Sequence, residues 1–238
     1  TTPRPVNGEW GAYVHVRKPA CHFGWDWGPM APTVALGDVR LEGWSVARID
    51  AVVPSVRCEG DRAVVTVVTR LERPVAHPVT VDAHVHFAGD TLAHTSVEVR
   101  GDEARVELVI DEPRWWWPRG FGEQPLYELI VNLASGGTTL DRRVRRLGLR
   151  TVALETEAND DGGPFRIVIN GTPIFAKGAN WIPDRVLPGQ IDDARIVARI
   201  DDACAAGMNM LRVWGGGRAA SRCTHRCPRR RGRRRWQK

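Results

Sequence analysis

The chain has 238 residues, 42% hydrophobic and 26% charged, the balance of a globular protein large enough to bury a substantial core. Its formal charge of +6 resides in residues 218–238, which hold nine Arg and one Lys and no acid, so the remainder is net negative. A mildly acidic body removes the whole-protein argument for nucleic-acid binding, and no apolar run approaches the roughly 18 residues of a membrane span.

In chain order, Ala12–Lys18 alternates like a half-buried strand, and the Gly- and Pro-flanked stretch around Trp25-Asp26-Trp27 reads as a loop. Val34–Ala51 contains two more strand-like runs. Evenly spaced short strands follow at Ala63–Leu71, Val79–Phe87, Thr91–Val99 and Ala104–Ile110, with Gly-Asp steps as turn signals between them. Leu126–Ala134 and Thr138–Leu147, split by Ser135-Gly136-Gly137, form a closing hairpin. Some seven short strands over this length predict a β-sandwich, placed at 49–150.

After Arg150 the pattern changes. Phe165–Ile169 and Pro173–Ala176 flank Asn170-Gly171, a two-residue hairpin signal. Lys177–Pro183 is a short segment ending in polar and aromatic residues. Ile191–Gly207 predicts an amphipathic helix with Ala194, Val197, Ile200, Ala203 and Cys204 on one stripe and Gly207 as its cap. Met208–Trp214 is an apolar run stopped by three glycines. Strand, helix, strand in this order is a βαβ unit, the start of a parallel α/β domain. In a (β/α)₈ barrel the C-terminal strand ends, where Asn180-Trp181 and Arg212-Val213-Trp214 fall, build the active site.

Sugars present apolar C–H faces and a rim of hydroxyls, so a site for them needs flat aromatic surfaces beside groups that hydrogen-bond in pairs. Trp25-Asp26-Trp27, Asn180-Trp181 and Arg212-Val213-Trp214 each supply both. Any one of them is equally read as a core tryptophan beside a turn cap; three together point to carbohydrate. His84 and His86 share a strand face, but without a carboxylate or cysteine partner no metal is assigned.

RKPACHFGWDWGP (17–29), WWWPRGFGEQPLYEL (115–129), INGTPIFAKGANWIP (169–183) and AAGMNMLRVWGGG (205–217) together resemble the β-mannosidases of glycoside hydrolase family 2, a group that also holds β-galactosidases and β-glucuronidases. The resemblance implies a multidomain, mostly β chain: the end of a sugar-binding jelly-roll at 1–48, an immunoglobulin-like sandwich at 49–150, and the first βαβ unit of a catalytic (β/α)₈ barrel at 151–217. It also implies retaining hydrolysis of terminal, non-reducing β-D-mannosides by two glutamates, without metal or organic cofactor. Trp25 and Asp26 match a jelly-roll loop that reaches the mannose. Asn180, Trp181, Arg212 and Trp214 match residues lining the same subsite. Both catalytic glutamates belong to later barrel strands, so none is assigned in this chain, and the chain by itself is expected to be inactive.

Residues 218–238 depart from the family pattern and are expected to be disordered. The run reads as a basic nucleic-acid arm, as half of a metal site at Cys223, His225 and Cys227, or as the product of a shifted reading frame; the near absence of Lys favours the last. Thr1 at the start suggests a segment from within a longer protein. Five scattered cysteines form no disulfide framework, which leads to a reducing, cytoplasmic expectation. A β-mannoside is the expected partner, with neither nucleic acid nor membrane; oligomeric state is not set by these features. The rival readings are another family 2 exo-glycosidase, against which the WDW loop argues, and a non-catalytic carbohydrate-binding sandwich, against which the βαβ segment argues.

Overall fold

The computed structural model describes residues 41–73, 77–157, 163–182, 184–185 and 191–214. The expected jelly-roll strands before residue 41, the WDW loop and the Arg-rich tail lie outside the described residues. The chain divides into two compact units, one of them Leu41–Ala176, with Lys177 and the described residues after it in the other. No described helix is long and apolar enough to cross a membrane.

The first unit is built on seven antiparallel strands: β1 (Arg48–Glu59), β2 (Arg62–Glu72), β3 (Val79–Phe87), β4 (Asp90–Val99), β5 (Glu103–Asp111), β6 (Tyr127–Ser135) and β7 (Thr138–Leu147). They form two sheets, ordered β1-β2-β5 and β4-β3-β6-β7. Alternation explains the layering. Val79, Val81, Ala83 and Val85 of β3 and Leu129, Val131 and Leu133 of β6 point inward and are almost wholly buried, against Ala104, Val106, Leu108 and Ile110 of β5. β2, central in its sheet, is buried along nearly its whole length, and its apolar run is correspondingly continuous. Each fully buried Val or Leu contributes about 1.5–3 kcal/mol, so this core dominates the unit's stability.

Two polar features sit on this frame. Tyr127, buried at the start of β6, accepts the Arg114 backbone N–H at 2.7 Å and donates to the Arg114 carbonyl at 3.4 Å, which fixes the crossing from β5 to β6. Burial pushes its phenol above the ordinary range. On the outer face of the first sheet, Arg57 donates two bonds to Glu107, at 2.8 and 3.0 Å, and Thr66 bridges them. That pairing holds the Glu107 carboxyl below its usual value.

A small antiparallel sheet follows, ordered β10-β9-β8, from β8 (Val152–Glu155), β9 (Arg166–Ile169) and β10 (Thr172–Ile174). The Asn170-Gly171 turn joins β9 to β10 with both residues at positive φ, 49° and 75°. Asn170 also ties this sheet to the sandwich: its amide donates to the Trp116 carbonyl at 3.1 Å and its Oδ1 accepts the Thr151 N–H at 2.9 Å. β8 was not among the expected strands; its four residues are all exposed and show no alternation.

The second unit contains β11 (Gly178–Trp181), α1 (Asp193–Ala205) and β12 (Met210–Val213), with β11 and β12 parallel. Asp192 caps α1 by accepting the Arg195 N–H at 2.7 Å, and Gly207, at φ 74°, ends it by donating to the Cys204 carbonyl at 3.1 Å. The buried stripe differs from expectation by one position. Ile196 is its most buried residue, with Ile200 and Ala203 beside it, whereas Ala194 is exposed.

Candidate functional site

The site-bearing residues lie at the C-terminal ends of β11 and β12. Gly178 begins β11 hard against Met210: a Cβ there would lie 2.0 Å from the Met210 carbonyl oxygen. Lys177 and Asn209 lock the register, because the Lys177 carbonyl accepts the Asn209 N–H at 2.9 Å and the Asn209 side chain accepts the Lys177 N–H at 2.9 Å. Asn180 then lies beside Arg212, and Trp181 beside Val213. The Trp214 N–H donates to the Trp181 carbonyl at 2.9 Å and so continues the parallel ladder past β12.

Arg212 Nη1 donates to Asn180 Oδ1 at 3.0 Å. Both side chains are exposed, and the contact sets the guanidinium plane beside the Asn180 amide, whose NH₂ is a further donor. Strand alternation puts Trp214 on the same face as Arg212, where it is half-buried. A fan of oriented donors beside an indole suits a neutral, polyhydroxylated ligand with an apolar face.

Trp181 lines a cleft of about 410 Å³ beneath α1 with Asn180, Ile182, Asp184, Arg199 and Leu211. Asp184 holds Arg195, and Arg199 approaches both Asp184 at 3.6 Å and Asp202 at 2.8 Å, which fixes the strand end against the helix. The structure therefore brings Asn180 and Arg212 into contact, places Trp214 on the Arg212 face of the strand, and sets Trp181 in the cleft beneath α1 that Asn180 also lines. Trp25 and Asp26 lie outside the described residues. Asn209 and Asp184 were missed by sequence reasoning, although a polar residue inside the apolar run Met208–Val213 was a signal for the first.

Among the described residues no group of three or more His, Cys, Asp or Glu is placed to hold a metal ion. His84 stacks on His94 across the strands, with ring centres 4.3 Å apart, and on His86 at 5.9 Å. Desolvation, aided by the two neighbouring imidazoles, holds His84 below its ordinary value.

Residues 47–150 match the family described as Glycosyl hydrolases family 2. Over 210 residues the chain is 34% identical to a beta-mannosidase B of Aspergillus niger, covering 87% of this chain and 25% of that protein. A beta-mannosidase of Mus musculus is 30% identical over 225 residues, with 90% and 26% covered. Among solved structures, the beta-D-mannosidase of Dictyoglomus thermophilum superposes with a TM-score of 0.79 at 35% identity, covering 91% of this chain and 27% of that one. The exo-chitosanase of Amycolatopsis orientalis shares the fold, at a TM-score of 0.59 and 22% identity over 73% of this chain and 20% of that one. The chain spans about a quarter of the length of the curated relatives it matches.

Proposed function

Since this chain belongs to glycosyl hydrolase family 2, we propose that it forms part of an exo-acting β-mannosidase and carries groups that grip the terminal mannose. The observation that carries this reading is the Arg212–Asn180 contact at the C-terminal ends of two parallel strands, with Trp214 on the same face. Groups at that end of a parallel α/β unit face the ligand in barrel enzymes. In this reading β11, α1 and β12 are the first βαβ unit of a (β/α)₈ barrel, the seven-stranded sandwich is the immunoglobulin-like module, and residues 1–48 complete a jelly-roll. Residues 218–238 stand outside the family pattern.

Each side chain has a role. Arg212 and Asn180 donate to sugar hydroxyls, Trp214 covers the C–H face, and Trp181, on a cleft shared with Asn180, lines the same subsite. Trp25 and Asp26 reach the same sugar from the jelly-roll loop, Asp26 accepting hydrogen bonds. The reaction of the complete enzyme is retaining hydrolysis: one glutamate protonates the leaving oxygen, the other forms the glycosyl-enzyme, and the two carboxyls stand about 5–5.5 Å apart. Residues 1–238 supply neither glutamate in this reading, so they bind without turnover, and no cofactor takes part.

The test is a titration of the 238-residue chain with methyl β-D-mannopyranoside, followed at the indole N–H of Trp214, which Trp214→Phe identifies. A saturable shift is expected, larger than with the β-glucopyranoside and weakened by Arg212→Ala. No shift, or equal response to both sugars, contradicts the assignment. Release of nitrophenol from an aryl β-mannoside by chain made in a host without β-mannosidase contradicts the absence of turnover.

A further inference from the structure

The sandwich unit carries a second cleft of about 520 Å³, within the roughly 300–1,000 Å³ range of small-molecule sites. Trp115 and Trp117 line it, with Asp61, Glu112, Thr151 and Asn170 around them. The intervening Trp116 faces elsewhere: the Arg150 guanidinium lies 4.5 Å from its ring centre, and a Cβ on Gly148 would come within 2.8 Å of it. Trp115 and Trp117 thus border the same cleft, each half-buried, and Trp115 also packs against the hydrophobic core, which holds it in place. The position of Trp117 is fixed in turn by Gly122, where a Cβ would lie 2.8 Å from the indole Cδ1.

Three features define the ligand. The lining includes two carboxylates and neither Lys nor Arg, so an anion is disfavoured. Two half-buried indoles along one cleft give it an apolar lining beside the carboxylates, which suits the C–H faces of linked pyranose rings better than a point charge. Glu112, held at φ 45°, a conformation that glycine takes without strain, brings a carboxylate to the lining of the cleft. The Asn170 amide is already committed to Trp116 and Thr151, which makes it a fixed wall rather than a contact that must rearrange. We propose that this cleft is a second carbohydrate-binding site for a neutral oligosaccharide, with Trp115 and Trp117 under successive sugar rings and Asp61 and Glu112 accepting their hydroxyls. It is independent of the Asn180–Arg212–Trp214 assignment.

The test uses β-1,4-linked mannobiose and the 238-residue chain, read at the indole N–H signals that Trp115→Phe and Trp117→Phe identify. Saturable shifts of both signals are expected. Glu112→Gly, which relaxes the backbone while removing the carboxylate, is expected to weaken the affinity tenfold or more with the chain still folded. Gly122→Ala, which displaces the Trp117 indole, is expected to weaken it as well. Trp214→Phe is expected to leave both shifts in place, which separates this site from the first. Four results overturn the proposal: no saturable shift at either indole, unchanged affinity in Glu112→Gly, loss of both shifts in Trp214→Phe, or tighter binding of choline than of mannobiose.

Discussion

The sandwich and the β11-α1-β12 unit solve the problem of apolar residues in opposite ways. In the sandwich, Val81, Ala83, Val85, Leu129, Val131 and Leu133 are completely buried, and two sheets share them. In β11-α1-β12, Ile196 is the one buried apolar residue among those described, while Ile182 and Val213 keep 46% and 48% of their surface exposed. The contrast teaches that the sandwich and the strand ends proposed to hold the sugar are packed to different degrees. The sandwich supplies its own stability; the strands that bear Asn180, Arg212 and Trp214 depend on further packing for theirs.

The largest expected effect sharpens this contrast directly. Leu129→Ala removes a fully buried side chain from the shared core and is expected to cost about 2–5 kcal/mol in urea unfolding. Leu211→Ala, at a position 36% exposed, is expected to cost less than about 1 kcal/mol. Equal losses would break the comparison. Next is Tyr127→Phe, which strands the Arg114 N–H inside the β5–β6 crossing and is expected to cost about 1–3 kcal/mol.

Much of this contrast was legible in the sequence, and the reasons differ by element. β3 and β5 were marked by period-two alternation, β2 by its continuous apolar run, and the Gly-Asp and Gly-Gly turns bounded their neighbours. β1 was only partly visible: the expected strand stopped at Ala51, while β1 runs to Glu59. Pro54 and the polar run Arg57-Cys58-Glu59 disguise it, and a sheet-edge strand tolerates both. Val152–Glu155 shows no alternation because it buries no face. At the site, residue types and strand ends were readable. The pairing of Asn180 with Arg212 was not, because parallel register is set by Lys177 and Asn209 across 32 residues.

Smaller effects test the sandwich from within. Thr69 is fully buried, and its Oγ1 has no hydrogen-bond partner among the described residues. Thr69→Val keeps the branched shape and removes the desolvated hydroxyl, so it is expected to stabilise by about 1 kcal/mol in thermal unfolding. Destabilisation of that size would reveal a hidden partner. The smallest effect is the pH response of His84, which faces His86, His94 and Asp82. Its folded value lies below the ordinary 6.5, so the unfolded chain takes up the proton first. Stability is therefore unaffected above that pH and falls as the pH drops through it. His84→Gln is expected to flatten the difference between urea midpoints at about pH 7.5 and pH 5.5.

Native-state hydrogen exchange on the whole 238-residue chain measures the separation of scaffold from site most directly. The amides of Leu129–Leu133 are expected to exchange only through global unfolding. Those of Leu211–Val213 are expected to open locally, at a free energy well below the global value and insensitive to Leu129→Ala. Equal protection of the two groups, falling together in Leu129→Ala, would contradict the account.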